Sequence, residues 1–474
     1  MSNTTTTISI AARMNRLPIG RTHRNIIMMG GLGYFFDVFD IMLASVLAAV
    51  LDKTFHLSTG LLSFTVAASF IGMFIGSLAI GNLSDRFGRR FGFFFNLLVY
   101  STFTLLGAFS MNAWWLIATR IVAGIGIGSQ FPLVDTYLND MLPGKARGRY
   151  FMIAFTIGMT AYPIVAALSF GLATSNFLGI AGWRWMFVLG ALGAVIAWLF
   201  QRKLIESPRW LESVGRSAEA EKLVAQLEAE SIDVLGKGAS LPTPEADSAP
   251  VIVSDHPWAL IFSKGIRRRT LMIYVADFFQ TVGFYGFGTI AVLVLVSKHY
   301  TITSSLLYTF LVFIGYPIGS WLTVYISDTI ERKWILCITA LAMIGLGLAF
   351  AYSSSPELVV TFGFVYAIVS ELFANSIHMF QAEIFPTAAR ATGSGSAYSL
   401  SRASQVILPF TLIPVLDAAG AVPVFGIVGL CMAVLIVDVA VFGPRTARRT
   451  VEEVSVAADV VGKLQLGVPE RRVS

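Results

Sequence analysis

The chain has 474 residues, of which 55% are hydrophobic and 13% charged, with a formal net charge of +6 at pH 7 and a mean hydropathy of +0.73. Soluble globular domains carry about 25% charged residues, so this composition excludes an ordinary soluble enzyme or scaffold and points to a membrane protein. The basic excess is dispersed among loops between apolar runs, which argues against nucleic-acid binding.

In chain order, residues 1–25 form a tail carrying Arg13, Arg16, Arg21 and Arg24. The tail runs into a long apolar segment with no small-residue cleavage site, the pattern of a retained signal-anchor. Apolar runs of about 20 residues, enough to cross a ~30 Å hydrocarbon core, then recur along the chain. Twelve spans are expected, near 26–51, 59–82, 91–111, 114–139, 150–172, 184–202, 270–297, 304–327, 335–353, 357–384, 394–416 and 422–443. A polar stretch, 203–269, divides six spans from six. It holds an Ala/Glu/Lys-rich helix over Ala218–Glu230 and a Gly/Ser/Pro-rich segment over 236–250. With no His/Cys cluster and no Gly-rich phosphate loop, it reads as a connector. Cys337 and Cys431 fall inside spans 9 and 12 and read as buried free thiols, so neither a disulfide nor a metal site is expected. Residues 444–474 form a second tail.

Of the 34 Lys and Arg residues, 29 fall in the tails and in the loops on the N-terminal side. Only Lys53, Arg184 and Lys298 lie on the other side, and Arg120 and Arg402 fall within spans. This positive-inside bias predicts that both termini are cytoplasmic.

Two cassettes recur 243 residues apart. Asp85-Arg86-Phe87-Gly88-Arg89-Arg90 returns as Asp328-Thr329-Ile330-Glu331-Arg332-Lys333. Asp140-Met141-Leu142-Pro143-Gly144-Lys145-Ala146-Arg147 returns as Glu383-Ile384-Phe385-Pro386-Thr387-Ala388-Ala389-Arg390. The expected fold is therefore an all-α membrane bundle of twelve helices in two pseudo-symmetric halves, 26–202 and 270–443, joined by 203–269.

The loop Gly81-Asn82-Leu83-Ser84-Asp85-Arg86-Phe87-Gly88-Arg89-Arg90 resembles the signature of the major facilitator superfamily, and Glu206-Ser207-Pro208-Arg209 is similar to the sugar-porter signature after span 6. The resemblance covers nearly all of 25–443. Span 7, from Asp277 to Tyr285, and span 10 lack the marks of true sugar porters. By contrast, Asp37-Val38-Phe39-Asp40 is similar to the span-1 acids of aromatic-acid/proton symporters. Ser401-Arg402-Ala403-Ser404 looks like the span-11 arginine region of organic-anion transporters and of the wider synaptic-vesicle-glycoprotein-like group. The resemblance implies transport by alternating access, driven by a proton gradient and without a cofactor.

Ionisable groups at membrane depth are costly, so each is a functional candidate. Asp37 lies roughly 18 Å into span 1, and Asp40 is one turn further on the same face. Two such carboxylates cannot both ionise cheaply, which suits proton coupling. The resemblance places Asp37 or Asp40 beside Arg120, which protonation of the acid would free for an anion. Glu371 and His378 complete the proposed proton path. Arg402, whose planar fork fits a carboxylate, leads the substrate candidates; a salt bridge to Asp277 or Glu371 is its alternative. Asp277, Gln280, Tyr285, Tyr162 and Asp135 join it as substrate candidates. Asp438 reads as structural. Gly81, Asp85, Arg89, Arg90, Asp140, Arg147, Asp328, Arg332, Glu383 and Arg390 are expected in the gating loops, where arginines pair with acids in one conformation and release them in another.

The expectation is a monomeric inner-membrane symporter that imports a small organic anion with protons. A sugar or cyclitol symporter is the alternative within the class, and a transport-dead sensor on the same scaffold is the alternative outside it. No nucleophile–base pair or metal-ligand spacing marks an enzyme.

Overall fold

The computed structural model describes residues 9–79, 87–128, 130–144, 147–201, 204–236, 240–243, 257–263, 266–326, 331–385 and 390–444. Twelve long helices follow the expected order. Span 1 is Arg21–Val46, span 2 Thr59–Ala79, span 3 Arg89–Ala108, span 4 Ala113–Met141 and span 5 Arg147–Leu172. Span 6 is Gly182–Gln201, span 7 Arg267–Ser297, span 8 Ile302–Ile326 and span 9 Arg332–Tyr352. Span 10 is Pro356–Ile384, span 11 Arg390–Ala419 and span 12 Ala421–Phe442. Eleven of them are long and apolar enough to cross a membrane, and span 6 is a further 20-residue helix in the position expected for it.

Local chemistry sets the ends. Span 8 starts at a Thr301 cap whose hydroxyl accepts from the Ser304 amide. Span 10 starts at a Ser355 cap followed by Pro356 at the first helical position. Spans 5 and 8 break at Thr160 and Ile314, three residues before Pro163 and Pro317. A proline there leaves one upstream carbonyl without its helical partner. Span 1 is interrupted at Leu47 and resumes as Ala48–Phe55. Between spans 5 and 6, Asn176–Phe177 and Ile180–Ala181 form a two-stranded hairpin. Its turn, Leu178-Gly179, has both residues at positive φ, as a two-residue hairpin requires; the apolar periodicity gave no sign of it.

The packing repeats at the sequence offset. Span 2 packs on span 4 as span 8 does on span 10, span 3 on span 6 as span 9 on span 12, and span 1 on span 5 as span 7 on span 11. The halves meet through spans 2 and 11 and through spans 5 and 8, which the offset also exchanges. Glycine makes the 2–4 and 8–10 seams. A Cβ on Gly72 would stand 2.0 Å from the Ile121 carbonyl oxygen, and one on Gly76 2.1 Å from that of Ile125. Their counterparts, Gly315 and Gly319, press on Phe364 and Ile368 in the same way. Such backbone-to-backbone approach is how membrane helices gain packing energy without a hydrophobic drive between them.

On the N-terminal side, Ile10–Asn15 forms a short helix and 217–235 a longer one, Ser217–Leu235, which extends beyond the expected Ala218–Glu230. The two pack together and bury Ile10, Met14, Val224 and Leu227. Arg13 grips Glu228 with two nitrogens, at 3.0 and 2.8 Å, and Arg16 adds a third contact at 2.7 Å. Thr22, at the start of span 1, bonds to Glu230 through its amide at 2.7 Å. The segment expected to be a plain tail is thus clamped to the connector. At the other end of the connector, Pro257–Ile261 packs on span 11.

Two tests follow from these contacts. Gly72→Val or Gly315→Val should wedge its seam and lower stability by roughly 1–3 kcal/mol, whereas Gly60→Ala, which meets nothing within 4 Å, should leave thermal unfolding in detergent unchanged. The hydrogen bond from Arg13 holds the Glu228 carboxyl below its ordinary value of about 4.5. Stability from a depressed acid is present above that value and is lost as pH falls through the depressed one. Hydrogen exchange at Ile10–Asn15 should therefore stay slow at neutral pH and quicken below about pH 4.5, and sooner in high salt.

Candidate functional site

Span 1 delivers Asp37 and Asp40 into the middle of the bundle, where both are at most 4% exposed. Their environments differ. Asp40 Oδ1 accepts from Arg120 Nη1 at 2.7 Å and from Thr104 Oγ1 at 3.1 Å, and Arg120 Nη2 donates to Thr104 at 2.8 Å. The guanidinium also lies 4.9 Å from the Phe187 ring centroid. Spans 1, 3, 4 and 6 thereby close a sealed knot in the N-terminal half. The expected acid–arginine pair exists with Asp40 as its acid. Arg120 is fully buried within it.

Asp37 is outside that knot. Its Oδ2 has no hydrogen-bond partner among the described residues, and the charges facing it are Arg402 and Asp40. Arg402 projects from span 11 toward the other half and is 1% exposed. Nη1 donates to Gln405 Oε1 at 2.8 Å, and Nη2 donates to the Tyr398 hydroxyl. The guanidinium carbon sits 4.6 Å from the Tyr398 ring centroid and 5.8 Å from that of Phe131 on span 4. Tyr285 lies beside it. Among the described residues it makes no ion pair, so the alternative of a salt bridge to Asp277 or Glu371 is not what the structure holds. Its acceptors are neutral and so do not cancel its charge, and Nε has no hydrogen-bond partner among the described residues.

The remaining candidates separate. Asp135 accepts a hydrogen bond from the Tyr34 hydroxyl. His378 is exposed and its ring stands 6.3 Å from that of Tyr398. Tyr162 stacks on Tyr316 at 3.9 Å, with Phe284 and Phe313 edge-on. This aromatic cluster joins span 5 to span 8 and packs against span 7, so Tyr162 sits in the contact between the two halves. Thr59 Oγ1 also donates to Asp417 at 2.6 Å, tying span 2 to span 11. Gln280 is buried on span 7. Asp277 is 1% exposed with both carboxylate oxygens unpartnered among the described residues; it is not in contact with Arg402. Glu371, expected to face the cavity, lies instead in the 8–10 seam, its Cβ above Gly319 and its Oε1 accepting from Asn375 at 3.4 Å.

At the N-terminal-side loops, Arg89 pairs with Asp140 at 3.8 Å and Arg332 with Glu383 at 3.4 Å, the same pair in each half. Glu206 accepts from the Arg89 and Arg90 amides at 3.1 and 3.3 Å, capping span 3. The Arg147 guanidinium bonds to the Leu142 carbonyl at 3.3–3.4 Å, capping the end of span 4, with the Asp140 charge nearby. Gly81, Asp85, Asp328 and the Arg390 side chain lie outside the described residues.

A model of the family described as "Sugar (and other) transporter" matches residues 25–458. The chain belongs to that family of the major facilitator superfamily. Among relatives of this transporter, the Bacillus subtilis protein named for metabolite transport, YyaJ, is 31% identical over 92% of this chain and 95% of its own. The niacin transporter NiaP of Acinetobacter baylyi is 26% identical over 94% of this chain and 100% of its own. The fold is similar to that of the xylose transporter XylE from E. coli in a partially occluded inward-open conformation, with a TM-score of 0.74, 21% identity, and coverage of 90% of this chain and 99% of that one. The family consists of membrane transporters, so the protein is a multi-pass transporter and not an enzyme.

Residue-type reasoning passed over Tyr34, Thr104, Phe131, Tyr398 and Gln405. Tyr398, Arg402 and Gln405 stand at i, i+4 and i+7 on span 11, one helical face, and that spacing was available as a signal. Thr104 and Phe131 gave none, because their role depends on the crossing of separate spans.

The knot predicts a stability test. Asp40→Asn leaves a buried arginine uncompensated and should cost about 3–5 kcal/mol, while the double change Asp40→Leu with Arg120→Met should recover most of it. Thermal unfolding of the purified transporter checks both.

Proposed function

We propose that the transporter is a proton-coupled symporter that imports a small organic acid by alternating access. The reading carries its orientation with it: a monomer in the cell's inner membrane, both termini cytoplasmic, no cofactor, energy from the proton gradient. One observation carries the proposal, namely that Arg402 is buried and cationic, with neutral acceptors and no carboxylate of the protein bound to it. A buried uncompensated charge is expensive, and a substrate carboxylate supplies what the site lacks. Niacin, transported by a relative, is such an acid. Asp37 gives the coupling. While ionised, it faces Arg402 and offsets its charge; once protonated, it leaves that charge to the anion. Proton and anion together make the loaded cavity closer to neutral, which lowers the cost of carrying it through the low-dielectric interior. A polyol is the second reading, supported by the family's sugar transporters.

Proteoliposomes with an alkaline interior provide the test, with nicotinate and xylose as probes. Wild-type protein should accumulate nicotinate. Arg402→Ala should reduce its uptake by roughly 30-fold or more, and Asp37→Asn should make the remaining uptake insensitive to the pH gradient. Nicotinate uptake unchanged in Arg402→Ala, or accumulation of xylose alone, would overturn the proposal.

A further inference from the structure

We infer that Tyr398 is a positioning residue that stands in for the substrate's carboxylate, holding Arg402 in the empty transporter and yielding to the substrate on binding. This rests on the carboxylate reading of Arg402. The argument begins with the donors. A guanidinium has five N–H groups in a rigid fork, and inside a protein each unsatisfied one is costly. Nη1 is served along the same helix by Gln405, three residues on. Nη2 is served by the Tyr398 hydroxyl, while Nε has no partner among the described residues. The Tyr398 oxygen therefore occupies one of the positions that a bidentate carboxylate needs, next to a nitrogen that is still free.

The two acceptors differ in freedom to leave. Gln405 is 1% exposed and packed. Tyr398 is only partly buried, has the exposed His378 ring 6.3 Å from its own, and lies within electrostatic range of Asp135 and Tyr285. A phenol is a neutral, weaker acceptor than a carboxylate, because hydrogen bonds to ionised groups are about twice as strong. An incoming carboxylate therefore displaces Tyr398 and can use both Nη2 and Nε. The displaced hydroxyl then turns toward the Asp135–Tyr34 pair of the opposite half, whose carboxylate lies within electrostatic range. Occupancy of Arg402 is thereby reported across the boundary between the halves.

The test is Tyr398→Phe, which keeps the ring on the guanidinium and removes only the oxygen. Nicotinate, benzoate and acetate serve as probe anions, with binding read by calorimetry on detergent-purified protein and uptake by proteoliposomes. Without its competitor, Arg402 should bind the probe roughly 3- to 10-fold more tightly, while maximal uptake falls because the signal to Asp135 is lost. A structural role alone would not split affinity from turnover in opposite directions. Tyr398→Phe that binds the probe unchanged or more weakly overturns the inference, provided Arg402→Ala still abolishes binding. If Arg402→Ala binds like wild type, or wild type binds none of the probes, the carboxylate reading fails and the role of Tyr398 fails with it.

Discussion

A guanidinium kept from water needs a full set of acceptors, and unless something supplies negative charge it remains a source of strong field. The transporter answers this requirement in two ways. Arg120 receives Asp40, Thr104 and the face of Phe187 and becomes part of the framework. Arg402 is as deeply buried, but its hydrogen bonds go to neutral groups and it lies against aromatic faces. Asp37 faces it without bonding to it, so no acid of the chain is fixed on it as Asp40 is on Arg120. The distinction between a structural and a working charge thus lies in whether the counter-charge is built into the chain or arrives from outside.

The rest of the bundle gives these two arginines their separate settings. Glycine seams repeat at one offset in each half, and the halves meet through the crossed contacts of spans 2 with 11 and 5 with 8. The stacked pair Tyr162 and Tyr316 lies in the contact of spans 5 and 8. Symmetry ends at the chemistry. Asp37 corresponds to Gln280, Asp135 to His378, and Glu371 to Gly128, so the two halves carry different groups at equivalent positions.

Much of this was legible in the sequence. Span number, the internal repeat and the loop residues at equivalent positions follow from hydropathy and from residues recurring at fixed distance, though which loop arginine meets which acid did not. The resemblance placed a span-1 acid beside Arg120 but left Asp37 and Asp40 both open, and contact selects Asp40. What remained hidden depends on rotation of helices about their axes. Glu371 shares a helix face with His378 by spacing, yet one is buried in the 8–10 seam and the other is exposed. The partners of Arg402 were hidden for a different reason. Tyrosine and glutamine are common lining residues, and only contact shows which of them takes a donor. The clamp of Arg13 and Arg16 on Glu228 joins segments more than 200 residues apart, both ordinary in composition.

The Asp40–Arg120 bond also bears on how the protein is made. Its partners lie 80 residues apart, and chains emerge at about 5–20 residues per second. Span 1 therefore waits roughly 4–16 s with two acids at its centre before span 4 is available, and insertion scales set the cost of each such acid at about 2.5–3.5 kcal/mol. Span 4 in turn enters with an arginine that only span 1 can neutralise. The first four helices thus settle in the bilayer as one cooperative unit, and a defect at Asp40 is felt during biogenesis before the transporter has any substrate to move.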